Sequence, residues 1–160
     1  MGRSAPTPRG RLRLTVRAPG GAVIARREAL NIVVRDGARL VARLFSGAEG
    51  ATPVDRIRVG FALEGGNPEL NALANPDNLP ATVLESLLPA EAFTIRDDAP
   101  DLVSVMVRAR FQLAVDLAQV TEAGLFGGDT LYNQVVFEPL DLRVGQDITF
   151  FWEIEFPFGR

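Results

Sequence analysis

Residues 103–115 read VSVMVRARFQLAV, and apolar side chains occupy every second position. A β-strand points successive side chains to opposite faces, so this period of two predicts a long strand with one buried and one wet face. The stretch 148–156, ITFFWEIEF, repeats the alternation, with Phe150 and Trp152 on the side predicted to be core. These two segments predict the central strands of the fold.

Other segments extend the β pattern. Shorter alternations at 12–16 and 57–61 predict further strands. Between residues 118 and 137 two apolar stretches flank FGGDT at 126–130, and paired glycines followed by aspartate favour a tight hairpin turn. The sequence therefore predicts a mostly β fold, namely an antiparallel β-sandwich of about seven or eight strands with one short α-helix near 36–46.

The helix is predicted from its ends and from its apolar spacing. Asp36 is suited to cap the first free amides, and Gly47 is suited to the left-handed conformation that ends a helix. The apolar residues between them recur at helical spacing and predict a buried stripe. That predicted stripe consists of Leu40, Val41, Leu44 and Phe45.

The 160 residues fit one domain with a basic beginning. Residues 1–27 hold seven arginines and no acid, whereas residues 28–160 hold ten arginines against all 20 acids. We therefore predict a basic N-terminal arm with an early strand at 1–27 and a single β-sandwich domain at 28–160. Within that domain, the proline- and asparagine-rich segment 64–100 is predicted to be a long excursion that a partner contacts.

The arm has three possible roles. It can dock on the acidic body of its own or a neighbouring subunit, remain solvated, or bind nucleic acid. Docking is favoured, and nucleic acid is disfavoured because no aromatic residues stand between the arginines to stack on bases.

The composition removes most enzyme chemistry. The chain has no cysteine and no histidine, which excludes thiolate nucleophiles, imidazole bases and zinc sites built on these residues. Carboxylate chemistry remains open, through the acidic cluster Asp97, Asp98 and Asp101 or the pair Glu153 and Glu155. For both groups a solvated, charged surface is the favoured interpretation. We therefore predict no catalytic residue, no cofactor and no metal site.

No apolar run reaches the length of a membrane span, and residues 1–17 do not have the apolar core of a signal peptide. The chain is therefore expected to be cytoplasmic when it is made and to have no membrane partner.

Several segments, taken in order, resemble bacteriophage tail-fibre, baseplate and related phage-tail-like virion proteins. Residues 30–47 are similar to that group's strand, short helix and small loop, and 57–60 to its next strand. The run VTEAGLF at 120–126 is similar to its most recognisable element, and 131–140 and 147–154 resemble its closing strands. The resemblance implies a non-enzymatic virion component that is repeated around a symmetric assembly.

The resulting expectation is a structural subunit of a phage tail, baseplate or phage-tail-like contractile particle, which self-associates and docks to other particle proteins. Its location would then be the virion or the phage-tail-like particle. The alternatives are a carbohydrate- or receptor-binding β-sandwich module and, as a third class, a carboxylate-only hydrolase. The predicted interface residues are Arg9, Arg11, Arg13, Arg17, Leu84, Leu87, Leu88, Tyr132 and Phe151.

Overall fold

A computed structural model describes residues 9–75 and 85–159 of the chain. In chain order its elements are β1 (Gly10–Arg17), β2 (Val23–Leu30), β3 (Ile32–Val33), α1 (Arg35–Phe45), β4 (Arg56–Gly60), β5 (Glu85–Leu87), a 3-10 helix (Ala90–Ala92), β6 (Phe93–Ala99), β7 (Leu102–Gln112), β8 (Leu117–Gly127), β9 (Thr130–Leu142) and β10 (Asp147–Pro157). These strands form two antiparallel sheets, which in the described residues have five strands each. Sheet A has the order β2-β1-β10-β7-β6, and sheet B has the order β3-β9-β8-β4-β5.

The two sheets share one core. Leu12, Leu14 and Trp152 from sheet A belong to the same buried cluster as Ile57 and Val135 from sheet B. The predicted mostly β, antiparallel sandwich with a single short helix is confirmed. The described part of the chain has ten strands, and the additional ones include β3 and β5, which are too short to show a period of two.

The two predicted central strands and the hairpin lie where expected. β7 and β10 are neighbours within sheet A, with Phe150 paired to Ala109. β8 and β9 form the hairpin, and the turn between them contains Gly128 at a φ of 59°.

Helix α1 lies where it was predicted, but the predicted N-cap, Asp36, is wrong. Val34 occupies the N-cap position without a side-chain hydrogen bond. Asp36 lies in the first turn, where it forms an ion pair with Arg39 at 3.1 Å. Gly47, with a φ of 68°, follows the helix as expected.

Of the predicted buried stripe of α1, only Leu40 is confirmed. Leu40 is buried, whereas Val41 and Leu44 are exposed and Phe45 is 94% exposed. The helix lies so close to β9 that a Cβ on Gly37 would come within 2.0 Å of the Tyr132 carbonyl oxygen. The helix therefore buries the narrow face around Gly37 and Leu40 and leaves the next face open.

The N-terminal segment differs from the predicted arm from residue 10 onward. β1 is an inner strand of sheet A, paired with β10 on one side and β2 on the other. Its alternate residues Leu12, Leu14 and Val16 are each only 1% exposed. An early strand is therefore present, but it is an integral part of the sheet; residues 1–8 lie outside the described residues.

The segment 64–100 is likewise not one long loop. Residues 61–75 lie across sheet B, while β5 and β6 are edge strands of sheets B and A. β6 pairs with β7 from Phe93 to Ala99 with one register shift, so residues 85–87 and 93–99 of the predicted excursion belong to the two sheets.

Candidate interaction surface on sheet A

The outer face of sheet A collects polar residues from four strands. Because Leu12, Leu14 and Val16 point into the core, their neighbours on β1 point outward. Strand pairing then sets Glu28, Arg13, Phe151 and Arg108 side by side in one row. The adjacent row contains Arg26, Thr15, Thr149 and Arg110.

These rows enclose a shallow groove of about 640 Å³. We call it the arginine groove; its lining residues are Arg13, Leu14, Thr15, Arg26, Arg27, Glu28, Arg108, Thr149 and Phe151. Because they belong to paired strands, their backbones are held at fixed spacing. The groove is thus a preformed surface on a rigid sheet.

Some charges in and beside the groove are already satisfied. The Arg13 guanidinium lies over the Phe151 ring, 5.1 Å from its centroid. Glu28 pairs with Arg11 at 3.2 Å, and Arg110 pairs with Asp147. These contacts hold the rim in place and neutralise the one carboxylate among the lining residues.

Two further guanidiniums have no such partner. Within the part of the chain that the structure describes, the exposed side chains of Arg26 and Arg108 make no hydrogen bond or ion pair. Arg27 differs, because it donates to the backbone oxygens of Glu138 and Pro139 and so joins β2 to β9. The groove therefore carries an excess of positive charge that is available to an outside group.

Guanidinium groups bind planar anions well. Their rigid fork of N–H donors matches the two oxygens of a carboxylate or the oxygens of a phosphate. The hydroxyls of Thr15 and Thr149 add neutral donors and acceptors in the same groove. The arrangement is suited to binding an anionic partner.

The predicted basic interface residues have different environments. Arg9, Arg11, Arg13 and Arg17 are all exposed. Only Arg13 lies in the groove, Arg11 pairs with Glu28, and Arg17 donates to the Gly21 carbonyl oxygen at 3.1 Å.

Two predicted interface residues are not on the surface. Tyr132 is 4% exposed and packs in the main core, and burial raises the pKa of its hydroxyl. Leu88 is also buried in this core, because the strand ends at Leu87 and the chain turns inward. Leu87 is 67% exposed on the edge strand, Phe151 is half-buried beneath Arg13, and Leu84 lies outside the described residues.

Arg26 and Arg108 were not predicted as interface residues. The alternation of β7 places Arg108 on the wet face, but the sequence does not show that Arg13 and Phe151 lie beside it. That neighbourhood arises from pairing between distant residues, since Phe151 is 43 residues from Arg108 and 138 residues from Arg13 along the chain. Only the register of sheet A brings these side chains together.

The outer face of sheet B is covered rather than open. Glu122 is completely buried there and accepts hydrogen bonds from the Ala62 amide at 3.2 Å, from the Ala74 amide and from Gln134 Nε2 at 2.6 Å. The neighbouring Thr121 hydroxyl donates to the Ala62 carbonyl oxygen. These bonds fasten residues 61–75 across the sheet.

The covering segment adds apolar contacts and requires close approach. Leu70 and Leu73 pack against Phe126 on the outer side of sheet B. A Cβ on Gly60 would lie 2.3 Å from Glu122 Oε1, so glycine leaves the room that the carboxylate occupies. Burial raises the pKa of the Glu122 carboxyl, although its hydrogen bonds act in the opposite direction.

The acidic groups considered for chemistry are dispersed. In residues 9–75 and 85–159 no three acidic, histidine or cysteine side chains are grouped so that they could hold a metal ion. Asp97 and Asp98 are exposed, and Glu153 and Glu155 are half-buried on β10. Over the same residues, no helix has the length and apolar character needed to cross a membrane.

Comparison of the chain with family models, with curated proteins and with solved structures gives no match. A β-sandwich hosts many unrelated functions, so the fold alone does not select one. The chemistry of the surface therefore carries the functional argument.

Proposed function

We propose that this chain is a structural subunit of a phage tail, baseplate or phage-tail-like contractile particle, and that it acts by self-association and by docking to neighbouring subunits. The observation that carries the proposal is the arginine groove. It is open and cationic, and paired strands hold it rigid, as a docking surface requires.

Most of the segments that resemble phage-tail proteins lie together in space, which gives further support; the exception is 147–154, which lies in β10 of sheet A. Residues 30–47 contain β3 and α1, and 57–60 lie in β4. The run 120–126 lies in β8 and 131–140 lie in β9, so these pieces assemble α1 and most of sheet B. The threonine and glutamate of the most recognisable run are the two side chains that fasten residues 61–75.

A carbohydrate-binding module has less support. Sugar sites commonly use an exposed aromatic ring, since the ring face packs on the sugar's C–H groups. The two aromatic residues among the predicted interface residues are Tyr132 and Phe151; the first is buried and the second lies beneath Arg13. Within the arginine groove, where Phe151 is the one aromatic lining residue, the chemistry therefore favours an anionic partner over a neutral sugar.

The test is to purify phage-tail-like particles from cells that encode the chain, identify their proteins by mass spectrometry and label them with an antibody to this chain for electron microscopy. We expect the chain to copurify and the antibody to decorate one fixed position. Particles from cells lacking the gene provide the control, and they should show no label. Intact particles that exclude a well-expressed chain would overturn the proposal.

A further inference from the structure

The arginine groove is suited to an anionic occupant, and the chain itself carries exposed carboxylates on β6, an edge strand of sheet A. Asp97 and Asp98 lie on β6, where the pairing with β7 shifts register between Arg96 and Ala99. Both side chains are exposed, and within the described residues neither makes a hydrogen bond or ion pair. We call this two-residue feature the acidic bulge.

The acidic bulge cannot reach the groove of its own chain. The strand order β2-β1-β10-β7-β6 places β7 and β10 between the bulge and Arg13. Adjacent strands are about 4.8 Å apart and residues along a strand about 3.4 Å apart. Asp97 and Asp98 lie opposite Val103, between the pairs Arg96–Ser104 and Ala99–Leu102, and Arg108 of the groove is five residues further along β7, so the separation along the strands is about 17 Å.

We propose that the acidic bulge of one copy binds in the arginine groove of the next copy, so that the chains associate head to tail. This inference rests on the proposed function and names the partner of the same surface. Asp97 and Asp98 supply two carboxylates for Arg26 and Arg108, the two guanidiniums without a partner in the described residues. Groove and bulge are different patches, so the contact is heterologous and builds a ring or a fibre.

The bulge also explains why docking, rather than strand addition, joins the copies. An exposed edge strand invites pairing with another edge, and bulges and charges prevent it. β6 has both, since its register breaks where two aspartates follow Arg96. An edge that cannot extend the sheet remains free to present its carboxylates.

The experiment uses the full-length chain and two charge-reversed variants. The groove variant carries Arg26→Glu with Arg108→Glu, and the bulge variant carries Asp97→Arg with Asp98→Arg. Light scattering at low salt should show association of the wild type. Each variant alone should associate at least about a hundredfold more weakly, because like charges then face each other.

Mixing the two variants provides the decisive measurement. In the mixture, aspartates again meet arginines at one contact and arginines meet the introduced glutamates at the next. We expect association to return in the mixture, with the two variants alternating at a ratio of one to one. Circular dichroism and the fluorescence of the buried Trp152 verify that each variant is folded.

A matched control reverses two arginines outside the groove, through Arg39→Glu with Arg143→Glu, and should associate as the wild type does. Association of the wild type without rescue in the mixture would overturn the head-to-tail contact, while leaving the particle test of the proposed function unaffected. A wild-type chain that stays monomeric at low salt would also overturn the head-to-tail contact, whether or not it binds heparin. Heparin binding would assign the groove to an acidic glycan.

Discussion

Sheets A and B contribute to the same core, but the outer face of sheet A is open and that of sheet B is covered. On sheet A the outer face is open, and exposed arginines line its groove. On sheet B residues 61–75 cover the outer face, with Glu122 beneath them and with their own Leu70 and Leu73 packed against Phe126. The difference indicates that sheet B is packed on both of its faces, whereas sheet A is packed on one face and leaves the other open.

The burial of single strands shows the same contrast. In β10 buried and half-buried residues alternate from Asp147 to Glu155, as in a sheet that has one wet face. In β8 every residue from Val120 to Gly127 is buried, as in a sheet that is covered on both faces. The period of two is therefore clear in sheet A and lost in sheet B.

The largest change in the free energy of unfolding is expected when a residue on the inner face of β10 is compared with its neighbour on the outer face. Phe150 is fully buried and stacks on Phe111 at 5.7 Å, whereas its neighbour Phe151 lies on the outer face. Phe150→Ala should lower the free energy of unfolding by about 4 kcal/mol, since it leaves a cavity. Phe151→Ala, the matched control, should cost about 1 kcal/mol because it removes a cation–π contact and partly exposed area. Urea unfolding measures both; equal losses would mean that the outer face of sheet A is a second core.

The next prediction tests whether Glu122 holds residues 61–75 on the outer face of sheet B. Glu122→Ala removes the acceptor for the Ala62 and Ala74 amides and leaves Gln134 without its partner. Each buried polar group that loses its partner is costly, so we expect a loss of about 3 kcal/mol and faster proteolysis within residues 61–75.

Glu122→Gln is the control for this prediction. Its amide oxygen still accepts from the backbone, and its NH₂ can donate to Gln134 Oε1, a buried atom without a partner within the described residues. We expect a loss of no more than about 1 kcal/mol. If Glu122→Ala unfolds like the wild type, the carboxylate does not fasten the cover.

How far the sequence predicts these features depends on the range of the interaction. The period of two is a local signal, so it located β1, β7 and β10 and the inner sides of β1 and β10. In β7 the predicted wet face begins only at Arg108, because Ser104 and Met106 on that face are buried. The helix was located by its apolar spacing and by Gly47, but its buried face depends on how closely it approaches β9. Glu122 could not be assigned its role, because the amides of Ala62 and Ala74 lie at least 48 residues away along the chain.

The pKa of Glu122, the residue that holds residues 61–75 on sheet B, provides a third test. The pKa of Glu122 is raised in the folded protein by burial, whereas in the unfolded chain the group titrates near 4.5. The folded state therefore keeps this proton to a higher pH than the unfolded state. The stability that Glu122 contributes is full below pH 4.5 and falls as the pH rises through the folded pKa.

The measurement is the difference in the free energy of unfolding between the wild type and Glu122→Gln, followed from below pH 4.5 to about pH 8. As the pH rises over this range, the wild type should lose about 1.4 kcal/mol of stability relative to Glu122→Gln for each unit by which the pKa of Glu122 is raised. Other groups, such as Asp55, whose pKa is lowered by the Arg56 side chain, contribute equally to both proteins and cancel. A difference that is independent of pH would mean that the buried carboxyl keeps its ordinary pKa.

The smallest changes in the free energy of unfolding are expected for two arginines, one on the outer face of each sheet. Arg58 on sheet B lies over the Phe126 ring, 4.6 Å from its centroid, and pairs with Asp129 at 3.1 Å, so Arg58→Ala should cost about 1 kcal/mol. Arg108 on sheet A is exposed and has no partner in the described residues, so Arg108→Ala should change the free energy of unfolding by less than about 0.5 kcal/mol. Thermal and urea unfolding of the two variants, measured side by side, distinguish them. Equal costs would make Arg108 a structural residue, and sheet A would then lack the unused charge that a docking surface requires.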